Sequence, residues 1–117
     1  MTIEQEIQAK GLPAPRITSA DIEANIASEH YFTARQGAVF AFQNDNGELP
    51  SSEALKALDL LTFCVLVLRN GFAATGESVC VSPENFDAEI GRKVARTNAV
   101  SKIWPLMGYE LRTKLAS

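Results

Sequence analysis

Leu60-Leu61-Thr62-Phe63-Cys64-Val65-Leu66-Val67-Leu68-Arg69-Asn70-Gly71-Phe72 is the stretch whose reading decides the fold. Residues 60–68 are apolar except for Thr62, include β-branched and aromatic side chains, and run towards Asn-Gly. That pattern predicts a strand entering a type I′ hairpin, because both turn positions need φ > 0 and Asn and Gly tolerate it best. The return strand is expected over residues 72–81, with Gly76 marking a bulge or a close backbone approach. A two-residue turn makes paired positions sum to 141, which sets Cys64 opposite Glu77 and Cys80 opposite Leu61 and leaves no disulfide. Being apolar on both faces, the first strand must be central and covered on two sides, by helices or by a second subunit.

Downstream, Ser82-Pro83-Glu84 reads as a helix start, with a hydroxyl N-cap, proline at the first position and an acid in the first turn. The helix is expected to run to Ile103, with Phe86, Ile90 and Val94 on an apolar stripe and Asn85, Glu89, Arg92 and Arg96 on a polar one. Trp104-Pro105 is expected to end it, and Gly108 to precede a last helix over residues 109–115. Upstream, Thr2 caps a first helix that stops at Gly11, and Leu12-Pro13-Ala14-Pro15 forms a stiff connector. Thr18 with Asp21 forms a capping box, and Ile22 and Ile26 place a second helix that ends near His30. Residues 31–42 read as extended or loop, Asn44-Asp45-Asn46-Gly47 as loop, and Ser51 or Ser52 as the cap of a short helix through Leu58. The expected architecture is α+β: a central β-hairpin packed against a long C-terminal helix, with two short N-terminal helices. It makes one domain over 1–117, in which 1–17 are helix and linker and 18–117 are the core.

With 117 residues, 46% hydrophobic and 21% charged, the chain suits one soluble domain and not a disordered tail. No apolar run approaches the roughly 20 residues that span a bilayer, and the N-terminus has neither a basic nor an apolar signal region, so the reducing cytoplasm is the expected location. The net charge of -3 hides an asymmetry. Residues 1–87 hold five basic and twelve acidic side chains, giving -7, and residues 88–117 hold six and two, giving +4. A basic C-terminal third suits an anion such as a phosphate, a nucleotide or nucleic acid, and equally suits pairing with the acidic part of its own chain or of a neighbouring subunit.

The catalytic inventory is thin. Cys64 and Cys80 are the only thiols and His30 the only histidine, too few for a metal site of about four ligands. Gly76-Glu77-Ser78 lacks the lysine and further glycines of a phosphate loop, and no Gly-x-Ser-x-Gly elbow exists. No catalytic residue, metal or cofactor is therefore assigned. The residues that invite a binding role are Arg92 and Arg96, four apart on one helix face, with Lys102, and with Trp104 or Tyr109 to stack on a base. Packing is the competing role for Trp104, and pairing with Glu89 the competing role for Lys93.

Taken in order, Asn70-Gly71-Phe72, Gly76-Glu77-Ser78, Asn85-Phe86-Asp87 and Lys102-Ile103-Trp104 form a joined pattern over residues 18–116. It resembles a small family of tailed-phage and prophage proteins whose founders come from a coliphage and a Shigella podophage. The resemblance implies a setting, the cytoplasm of an infected bacterial cell, and no established activity. Three functions suit that setting. The first is a non-enzymatic binding protein, a dimer or tetramer, that sequesters a nucleotide-like signal of host defence. The second is a nucleic-acid-binding regulator, against which stands a pI near 5.1. The third is a protein-interaction module that inhibits a host protein through an apolar surface.

Overall fold

The computed structural model describes residues 2–45 and 47–117. Its elements are α1 (Ile3–Ala9), α2 (Ser19–Ala24), β1 (Ile26–Thr33), α3 (Ala34–Asp45), α4 (Ser52–Leu58), β2 (Leu61–Leu68), β3 (Ala73–Val79) and α5 (Ala88–Ala116). A three-stranded antiparallel sheet in the order β1-β2-β3 packs one face against α5, so the class is α+β with a long C-terminal helix and short N-terminal ones.

β2 is the central strand, as its unbroken apolar run predicts. The hairpin loop is one residue longer than the two-residue turn that Asn-Gly implies. Leu68 donates to Phe72 and Gly71 donates back to Leu68, so the loop is three residues, 69–71, and Gly71 supplies the positive φ of 88°. Paired positions therefore sum to 140: Cys64 faces Gly76, not Glu77, and Cys80 lies beside Leu60, not Leu61. A shift of one residue turns every side chain of β3 to the other face. Both cysteines are free, and Cys64 is buried.

α5 lies unusually close to the sheet because small residues line the contact. Gly91, Ala95 and Ala99 recur every four residues along its inner face and are buried with Ile103. Gly76 lies opposite, where a Cβ would overlap the backbone of Ala95, Asn98 and Ala99. Gly76 thus marks a close backbone approach rather than a bulge, and Asn98 Nδ2 donates to the Glu77 carbonyl of β3 at 2.8 Å across the same seam. The stripe of Ile90 and Val94 is not the packing face; both side chains are exposed.

Other boundaries depart from the local reading for identifiable reasons. α2 begins at the expected Thr18 capping box but ends at Ala24, because Ile26 onwards pairs with β2. The Arg69 guanidinium and backbone N–H cap that end by donating to Ala24 and Asn25. Residues 31–33 complete β1, with a bulge at Ala27, and residues 34–42 are helical, not extended. Thr33 and Gln36 start α3 as a reciprocal capping pair, Gln36 N–H to Thr33 Oγ1 at 3.1 Å and Thr33 N–H to Gln36 Oε1 at 2.9 Å. Asn44 and Asp45 belong to that helix, and Asn46 of the expected loop lies outside the described residues. Ser51, not Ser52, caps α4.

Ser82 makes no capping bond, and Pro83–Asn85 form only a 3-10 turn. Asp87 caps α5 instead, accepting from Ile90 N–H at 3.0 Å. Pro105 does not end the helix; α5 runs through it and Gly108 for 29 residues, so there is no separate last helix. Proline here removes the donor for the Ser101 carbonyl, and both residues are exposed, so solvent can reach that end of the helix face.

Candidate functional site

Paired positions on β1 and β2 assign each side chain to a face. Glu29, Tyr31 and Thr33 pair with Leu66, Cys64 and Thr62 and share the face that carries α5. Ser28, His30 and Phe32 point the other way with Val67, Val65 and Phe63. His30 and Cys64 therefore lie on opposite faces and make no Cys-His pair. Among the described residues, no group of three His, Cys, Asp or Glu side chains gathers as metal ligands would.

Arg96 is held on both sides. It makes two hydrogen bonds to Glu23 of α2, at 2.7 and 3.0 Å, and two to Glu29 of β1, at 2.9 and 3.2 Å. Glu29 also accepts from the Tyr31 hydroxyl at 2.7 Å. Hydrogen bonds from Arg96 hold both carboxyls below the usual carboxylate range. Burial, reinforced by the bond to Glu29, pushes the Tyr31 phenol up, and burial raises the Cys64 thiol. The fork of Arg96 thus joins α5, α2 and β1 into one clamp, the internal pairing that the charge asymmetry allowed.

Arg92, one turn earlier and exposed, has no ion-pair partner among the described residues. It borders a cleft of about 220 Å³ at the end of the sheet where β1 passes into α3 and α5 begins. Tyr31, Phe32 and Phe86 line the cleft together with Thr62, Gln36 and Ala88. The Gln36 carbonyl is taken by the Thr33 N–H, which leaves its amide N–H groups to donate. Thr62 is only 4% exposed. No carboxylate lines the cleft. A larger depression between the 15–17 linker and the end of α5 carries Arg16, Arg69 and Lys114 against Asp21 and Glu110, an almost balanced set.

The five residues singled out from the sequence do not form one surface. At about 1.5 Å per residue, Lys102 lies roughly 15 Å from Arg92 along α5 and Tyr109 roughly 25 Å. Trp104 is 37% exposed and Tyr109 77%, and neither borders the cleft. The aromatic walls beside Arg92 come from Tyr31, Phe32 and Phe86, none of them among those five. The Thr33-x-x-Gln36 cap was the signal that could have placed them, since it fixes the turn from β1 into α3.

No helix among the described residues is long and apolar enough to cross a membrane. No curated protein and no solved structure matches the chain. Residues 17–115, most of the chain, match the family model of the Phage protein (N4 Gp49/phage Sf6 gene 66) family. The expected span of 18–116 agrees with that match, and the chain belongs to this phage protein family.

Proposed function

We propose that the protein is a small phage accessory protein that acts by binding rather than by catalysis, and that its ligand is a nucleotide-like anion. The observation that carries this reading is the unpaired Arg92 guanidinium beside an aromatic-walled cleft that no carboxylate lines. A guanidinium offers a fork of donors to a phosphate, the Gln36 amide and Thr62 hydroxyl add neutral donors, and aromatic rings suit a planar base. At about 220 Å³ the cleft has room for a base or a sugar phosphate, with the rest of a larger ligand lying outside. In this reading Arg92 binds directly. Arg96 is a positioning residue, since it fixes Glu29 and through it the Tyr31 wall. A ligand that signals infection would be withdrawn from host defence by such binding.

Thermal unfolding with mono- and dinucleotides, and with inorganic phosphate as a control, tests this. A nucleotide at 100 times its Kd adds about 2.7 kcal/mol of stability. The wild-type midpoint should rise with at least one nucleotide, Arg92→Ala should abolish the rise without lowering the unliganded midpoint, and Lys102→Ala should retain it. No rise with any nucleotide, or an equal rise in Arg92→Ala, would overturn the reading.

A further inference from the structure

We propose that the sheet face opposite α5 is a two-fold interface with a second copy of this chain, a surface that meets the Arg92 cleft only at Phe32. A solvated antiparallel face ordinarily alternates apolar and polar residues, one set for each side. β2 does not: Thr62, Cys64, Leu66 and Leu68 face α5, while Leu61, Phe63, Val65 and Val67 face away from it. Phe32 of β1 adds to that outer face, its ring 5.6 Å from Phe63, and Val79 of β3 adds to it at 70% exposure. α3 touches both β1 and β2, with Gly37 beside Phe32, and leaves Leu61, Phe63, Val65 and Val67 half-buried.

The elongated chain has surface enough for such a contact. The chain exposes 8170 Å², whereas a compact monomer of its mass exposes about 6,200 Å². The radius of gyration is 18.5 Å, against about 13 Å for a compact chain of this length. A standard interface takes about 800 Å² from each partner, so the surplus is large enough to hold one.

The charges on this face suit a second copy. Its two ionisable side chains, His30 on β1 and Glu77 on β3, lie on opposite edge strands. A two-fold axis along the strands lays each β1 over the partner subunit's β3, so the acid of one copy approaches the imidazole edge of the other. The centre of the patch stays free of charge, as the core of an interface requires. Two such sheets stacked face to face bury β2 on both sides.

Light scattering of the full chain at micromolar concentration should give about twice 12.7 kDa. Val65→Asp, at the centre of the face, should halve that mass. Because Val65→Asp risks unfolding the protomer, Thr75→Arg supplies the second test: Thr75 is exposed on the same face, so an isolated protomer accommodates the arginine and a stacked one does not. Thr75→Arg should run as a folded monomer by far-UV circular dichroism and mass. A wild-type mass of 12.7 kDa, or a Thr75→Arg variant that keeps the doubled mass, would overturn the interface while leaving the ligand test untouched.

Discussion

At the residue scale, Gly76 and Arg96 each do something that the sequence only half disclosed. A glycine inside a strand signalled a bulge or a close approach, and its burial against the backbone of Ala95 and Ala99 decides for the approach. The partner lies on another element, which no local pattern names. Gly76→Ala has no flexible side chain to push aside, only helix backbone, and should cost about 3 kcal/mol by overpacking. Chemical denaturation would measure this as a lower midpoint at unchanged slope, and a loss under 1 kcal/mol would mean that the helix shifts readily. The arginine pair was visible, but which member is free was not, because Glu23 and Glu29 lie about seventy positions away in the chain. Arg96→Ala should lower stability by about 1 kcal/mol, the range of a partly exposed ion-pair network. Glu23 and Glu29 have folded-state pKa values below their ordinary 4.5. Their contribution is therefore present above pH 4.5 and is lost as pH falls through the folded values. Unfolding midpoints measured from pH 7 down to pH 3 should fall less steeply in Arg96→Ala than in the wild type, and parallel curves would contradict the clamp.

At the scale of elements, the strand reading of β2, the return strand, the capped starts of α1 and α2 and the Ser51 cap were all legible, since each rests on side chains within a few residues of the backbone they serve. The errors arose where distant pairing competes with local preference. Ile26 continues the helical spacing of Ile22 yet pairs with Leu68, and Tyr31 and Phe32, ambiguous alone, become strand because β2 lies beside them. The Asn-Gly signal located the turn but not its length, and so missed the register by one. Pro105 was read as a stop, although an exposed helix can leave one carbonyl to water. Pro105→Ala restores the missing N–H and should stabilise the chain by about 1–3 kcal/mol. A thermal midpoint several degrees higher is the expected result; a lower one would mean that the proline shapes a contact outside the protomer.

At the scale of the whole molecule, the strand, turn and cap signals foresaw an α+β chain and the charge count its segregation, but neither foresaw how much of its surface would remain apolar. One protomer covers one side of β2 with α5 and leaves the other half-buried, and its aromatic-walled cleft lies at the end of the sheet rather than along the basic helix. The cleft was hidden from the sequence because its walls come from β1, the start of α3 and the turn before α5, segments up to about sixty residues apart. Phage context, cleft and open face together motivate our proposal of a binding protein that works as a pair of chains. Native mass spectrometry of the protein isolated from phage-infected cells tests that most directly. The expected spectrum is a dimer carrying an anionic small molecule that is absent from Arg92→Ala prepared in the same way; a bare monomer in both preparations would contradict it.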